Sequence, residues 1–232
     1  MKKPYLDLLK RTLLNTIYAE GKETAKRIRG EGVHQGTHSM IGWKRMNNLQ
    51  ACCEQVIKDK VEGDFIETGV WEGGSCILMK AILNEYNDTR KVWVADSFQG
   101  IPKPRLPQDK GHDLFKKAYF VVPMVKVVDN FKRYNLLDDS VCFLEGWFKD
   151  TLPIAPIDKL SVLRLDGDLY ESTMDGLNHL YPKLSPGGYC IVDDYGCYAQ
   201  CKQAITDYRQ KHNIEEPIIK VDFTGVFWRK TC

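Results

Sequence analysis

The sequence predicts an α/β domain built on a seven-stranded, mostly parallel sheet with an antiparallel last strand, preceded by N-terminal helices. Two observations carry this expectation. From residue 63 onward, short runs rich in β-branched and aromatic residues alternate with helical patterns, as they do when parallel strands are joined by helical crossovers. The last two strand-like runs, 217–221 (PIIKV) and 225–229 (GVFWR), are separated only by Asp222, Phe223 and Thr224. No crossover fits in so short a link, so this pair is an antiparallel hairpin.

Taken in order, the strands are expected at 64–68 (DFIET), 91–95 (KVWVA), 140–144 (SVCFL), 160–165 (LSVLRL) and 189–192 (YCIV), followed by the hairpin. Helices are expected around 73–86, 123–134, 171–183 and 197–212. Ahead of the sheet, Leu6, Leu9, Leu13 and Ile17 recur at spacings of three and four, an amphipathic stripe suited to packing on the domain, on a second subunit in a homo-oligomer, or over a substrate as a lid. The chain therefore divides into a helical extension and lid, 1–62, and the sheet domain, 63–232. Residues 30–42 hold four glycines and two histidines, and 98–113 carries Pro102, Pro104 and Pro107; both are expected to be loops. With residues up to 122 included, they are expected to cover an acceptor, with His38, Ser39 and Met40 facing it.

Composition narrows the class. The 33 basic and 31 acidic residues leave a net charge of +2, with no basic cluster, which argues against a nucleic-acid partner. No apolar run is long enough for a signal sequence or a membrane span, so a cytoplasmic protein without membrane attachment is expected. The eight cysteines, at 52, 53, 76, 142, 190, 197, 201 and 232, show no zinc-ligand spacing and lie mostly in apolar stretches, so they are expected to be buried, reduced thiols.

In an open parallel sheet the ligand sits beyond the carboxyl ends of the strands. The first strand ends in Glu67-Thr68-Gly69-Val70-Trp71, followed by Gly73-Gly74. These glycines allow a backbone to turn closely around a ligand or simply make a tight strand-to-helix turn, and they do not have the spacing of a dinucleotide fingerprint. The second strand ends in Asp96-Ser97; an acid there accepts from both ribose hydroxyls of an adenosine-containing cofactor, the alternative being a helix cap. The third ends in Glu145-Gly146 followed by Trp147 and Phe148, whose rings either stack on a base or belong to the core.

The fourth and fifth strands end in Asp166-Gly167-Asp168 and Asp193-Asp194. Carboxylates brought to one sheet edge repel unless protonated or bridged by a cation, and hard cations such as Mg2+ favour oxygen ligands. Asp166, Asp193 and Asp194 are therefore candidate metal ligands. Helix capping by Asp168 and Asp194 is the competing reading, though it accounts for one acid per strand end and not for pairs.

The runs ETGVWEGGS (67–75), VWVADSFQGIP (92–102), VLRLDGDLYEST (162–173), LYPKLSPGGY (180–189) and IVDDY (191–195) resemble the macrocin O-methyltransferase family over roughly residues 38 to 230. The resemblance implies a class I methyltransferase, Rossmann-like fold, S-adenosylmethionine and Mg2+ as cofactors, and a sugar hydroxyl of a natural product as acceptor. It implies cofactor-binding segments at Glu67, Thr68, Gly69, Val70 and Trp71 and at Asp96, Ser97, Phe98 and Gly100. It also makes Asp166, Asp193 and Asp194 the metal ligands and Asp166 the general base. Metal binding would lower the basicity of Asp166, so Asp168 or a water relay stays open as the base. The chain departs from the family in a short N-terminal region and in 103–120. A nicotinamide-dependent oxidoreductase would share the logic of Asp96 but lacks its glycine turn here. A metal-dependent phosphohydrolase would use the acids but not Asp96, and a non-catalytic cofactor-binding protein would not need the acids.

Overall fold

A computed structural model describes residues 3–232. Three helices come first, α1 (Pro4–Leu13), α2 (Gly21–Arg29) and α3 (Gly42–Lys58). The sheet domain then runs β1 (Asp64–Thr68), α4 (Gly74–Glu85), β2 (Val92–Asp96), α5 (Met124–Arg133), β3 (Val141–Glu145), α6 (Phe148–Thr151) and β4 (Leu160–Leu165). It continues through α7 (Tyr170–Leu180), β5 (Leu184–Val192), α8 (Ala199–Lys211), β6 (Ile219–Lys220) and β7 (Val226–Arg229).

The seven strands lie in the order β3-β2-β1-β4-β5-β7-β6. β7 is antiparallel to both neighbours, so the expected hairpin and reversed last strand are present. The order changes direction between β1 and β4, which places the switch point there. Alternation along the strands feeds two cores. Phe65, Val92, Val94 and Val162 face α1, α3, α4 and α5, whereas Ile66, Trp93, Ala95, Leu163 and Leu165 face α7 and α8. Strands buried on both faces explain their nearly continuous apolar character. No helix among the described residues is long and apolar enough to cross a membrane.

Leu6, Leu9 and Leu13 are buried in the same core as α3 and α4. Ile17, expected to continue their stripe, lies beyond the end of α1 and is exposed, because the chain turns at Asn15 with φ of 48°. β5 begins at Leu184 rather than near 189, as its Pro186-Gly187-Gly188 stretch is carried as an irregularity, with Gly187 at φ of 85°. Of the eight cysteines, Cys52, Cys53, Cys76, Cys190 and Cys201 are buried, as expected, but Cys142 is half-buried and Cys197 and Cys232 are exposed.

Candidate active site

Strand register aligns the chemistry. Thr68 pairs with Ala95 and Leu165, Leu165 with Val192, and Asp96 with Glu145. The next residue on each of β1, β4 and β5 is therefore Gly69, Asp166 and Asp193, in line with Asp96 at the end of β2. Gly69, at φ of 87°, is required: a Cβ there would lie 1.9 Å from the Asp166 carbonyl oxygen. Gly74 starts α4 against the loop before α3, where a Cβ would come within 2.3 Å of the His38 carbonyl oxygen.

A cavity of about 500 Å³ opens along this edge, a size usual for small-molecule sites. Glu67, Gly69, Val70, Trp71, Asp96, Ser97, Gly100, Trp147, Phe148, Asp166, Asp193 and Asp194 all line it. Two expected residues do not. Thr68 is buried within β1, and the Phe98 ring is buried against Phe143, with centroids 6.4 Å apart. Phe98 acts instead through its backbone, because its N–H donates to Asp96 Oδ1 at 2.8 Å. Asp96 Oδ2 accepts the Val70 N–H, also at 2.8 Å. Asp96 thus caps no helix; it ties the β1 turn to the β2 turn, with the Ser97 hydroxyl also 3.4 Å from Oδ1. Burial raises its pKa against these N–H bonds.

In the same cavity, one oxygen from each of Asp166, Asp193 and Asp194 falls within 4.8 Å of the others. Fully buried Arg164 pairs with Glu67, Asp166 and Asp193. One guanidinium thus faces three carboxylates, of which Asp193 also pairs with Arg45. Burial pushes Glu67 up to about 7, with the Arg164 charge opposing. Burial and the charge of Asp193 push Asp166 up to about 6. Asp168 and Asp194 rise well above the carboxylate range through burial and their acidic neighbours.

The capping alternative fails on geometry. The Asp194 side chain accepts the Asp168 N–H at 3.1 Å, and only its backbone carbonyl meets the start of α8. The side chain that caps α7 is Asp109, buried in the loop after β2, which accepts the N–H groups of Tyr170 at 2.8 Å and Glu171 at 3.0 Å.

Residues 20–230 match the macrocin O-methyltransferase family. The chain belongs to the macrocin O-methyltransferase family. It is 47% identical to the mycinamicin III 3''-O-methyltransferase of Micromonospora griseorubida, covering 98% of this chain and 96% of that one. It is 49% identical to the 8-demethyl-8-(2,3-dimethoxy-alpha-L-rhamnosyl)-tetracenomycin-C 4'-O-methyltransferase of Streptomyces olivaceus, covering 98% and 93%. Among solved structures it is similar to the O-methyltransferase NovP, with a TM-score of 0.95, 48% identity and 99% of each chain covered. The calicheamicin methyltransferase CalS11, at 18% identity and a TM-score of 0.64, shares the class I methyltransferase fold. This macrocin O-methyltransferase family member is an O-methyltransferase of that fold.

Sequence reading missed several residues of the family member's cavity. Arg45, on α3, pairs with Asp193 and, from Nε at 3.0 Å, with Asp222 of the hairpin link. The Thr224 hydroxyl donates to the Asp193 carbonyl at 2.7 Å. The only signal for either was the polar character of the hairpin link. Of the three loop residues expected to face the cavity, Ser39 and Met40 do. His38 does not; its Nδ1 shares a 2.8 Å hydrogen bond with the Tyr134 hydroxyl. The 98–122 loop lines the mouth through Ile101, Lys103, Arg105, Tyr119 and Phe120, and Trp71 Nε1 donates to the Tyr119 carbonyl at 2.8 Å.

Proposed function

We propose that this enzyme transfers the methyl group of S-adenosylmethionine to a hydroxyl of a small molecule, a sugar or glycosylated natural product, in the cytoplasm with the assistance of Mg2+. The observation that carries this reading is a single cavity lined both by Gly69 and Asp96 and by the clustered acids Asp166, Asp193 and Asp194. In it, Asp96 accepts the ribose hydroxyls. Glu67 to Trp71 and Ser97 to Gly100 wrap the cofactor, Thr68 and Phe98 through backbone alone, and Trp147 or Phe148 lies on the adenine face. The sugar acceptor follows the relatives, one of which is named for a rhamnosyl-bearing compound.

A divalent cation fits the donor set. Four carboxylates (Glu67, Asp166, Asp193 and Asp222) share the two guanidinium groups of Arg45 and Arg164, and the acids Asp168 and Asp194 crowd against Asp166 and Asp193 without pairing to either arginine. Asp166, Asp193 and Asp194 would hold it, and it would supply Lewis-acid stabilisation of an acceptor oxygen as that oxygen loses its proton. The chain's own residues do the rest. Cofactor and acceptor are held for in-line displacement, and orientation of this kind lowers a barrier by roughly 7–11 kcal/mol at best. Asp166, which lines the same cavity, takes the hydroxyl proton. Asp168 is the second reading for the base, favoured because it lines the same cavity and its carboxyl has no hydrogen-bond partner among the described residues. The pH dependence of kcat in Asp166→Asn and Asp168→Asn separates them: the variant of the true base loses the acidic limb, and the other keeps it.

A further inference from the structure

Asp193 is held at both oxygens by guanidinium groups, Oδ1 by Arg164 and Oδ2 by Arg45. The two arginines are not equivalent. Arg164 is fully buried on the central strand β4 and is fixed by Glu67 and Asp166 as well. Arg45 reaches in from α3, lines the cavity, and lies 5.8 Å from the ring of the exposed residue Phe223. Its other contacts would survive release of Asp193: Nε donates to Asp222 at 3.0 Å and Nη2 to the Gly30 carbonyl at 3.3 Å. Gly30 ends α2 and begins the 30–42 loop.

We propose that Arg45 is a positioning residue that competes with the divalent cation for Asp193, so that cation uptake is coupled to the Gly30 loop and the 222–224 turn that Arg45 also holds. This rests on the cation reading given above. A guanidinium on a ligand oxygen repels an incoming divalent ion and occupies one of the lone pairs the ion would use. Of the two arginines only Arg45 has both a route out and a partner to keep. Because coupling is reciprocal, whatever draws Arg45 toward Asp222 and Gly30 favours the cation, and the cation favours that arrangement.

The sign of one substitution separates this role from simple support. If Arg45 merely oriented Asp193, its removal would weaken cation binding. Competition gives the opposite sign, because Arg45→Met removes a like charge and leaves Asp193 and Asp222 without it. Mn2+ binding followed by electron paramagnetic resonance should be tighter in R45M than in the wild type by about tenfold or more. Arg45→Lys, which restores the charge, should bring affinity back toward the wild-type value. Unchanged or weaker binding in R45M overturns the role of Arg45 and leaves the cation reading standing; no Mn2+ binding by either protein removes both. Nitrogen-15 spectra of the wild-type guanidinium groups need no variant. The Arg45 resonances should change on saturation with Mg2+, and unchanged resonances at saturation overturn the competition even if R45M does not fold.

Discussion

In the proposed site Asp96 would do two jobs with one carboxylate, and this decides how it should be tested. Its oxygens accept the backbone N–H groups of Val70 and Phe98, so alanine would leave two inward-facing donors unpaired and disturb the turns themselves. Asp96→Asn keeps one acceptor oxygen and removes the charge. It should weaken S-adenosylhomocysteine binding by about 1.5–3 kcal/mol, the worth of charge-assisted hydrogen bonds, and lower the melting temperature less than alanine does, because its amide nitrogen leaves one N–H donor unpaired rather than two, as read by calorimetry. Unchanged affinity in a folded variant would remove Asp96 from the cofactor site. Glu67 offers a different handle, through pH. Its pKa is raised to about 7 in the fold from an ordinary value of 4.5, so the folded state holds its proton where the unfolded chain has lost it. The stability this contributes is complete below pH 4.5 and is lost as pH rises through about 7. The cation-free protein should therefore melt at lower temperature at pH 8 than at pH 6, and Glu67→Gln should shrink that difference. An equal difference in both proteins would mean that Arg164 keeps Glu67 ionised throughout.

Among the elements, the loop between β2 and α5 depends most on a single distant contact. Asp109 caps α7 from 61 and 62 residues away, and Arg105 pairs with Glu171 on the same helix. Asp109→Ala should cost about 0.5–2 kcal/mol of stability, the usual loss of a helix cap. It should also raise hydrogen exchange across 98–122 and impair turnover more than S-adenosylhomocysteine binding. Unaltered exchange there would show that the loop is held by its other contacts. Local patterns announced the strands, the four main sheet helices and the hairpin, because apolar β-branched runs, helical patterns and a three-residue link are features of neighbouring residues. The Asp109 cap was illegible for the opposite reason: its partner lies far along the chain, so nothing near 109 marks it. The same holds for Arg45, an arginine in an amphipathic helix whose partners are 148 and 177 residues away. The end of α1 was misplaced because Ile17 fits the helical spacing while the turn at Asn15 leaves no strong mark.

For the molecule as a whole, the topology explains why so much of the site could be read from strand ends. With β1 and β4 adjacent at the switch point and β5 beside β4, residues that follow five separate strands must meet along one edge. The expected ligating and cofactor residues, apart from Thr68 and Phe98, accordingly share one cavity. What topology does not specify is how crowded carboxylates are kept together. That balance falls to Arg164 and Arg45, and the surplus of negative charge they leave is the physical reason for expecting a cation. The most direct test supplies methyl-labelled S-adenosylmethionine and a panel of glycosides, first with Mg2+, then after complete chelation with EDTA, then with Mg2+ restored. The expected result is a labelled methyl ether on a sugar hydroxyl, lost on chelation and regained with the metal; label transfer that persists after complete chelation, or that appears only on acceptors without a sugar, would contradict it.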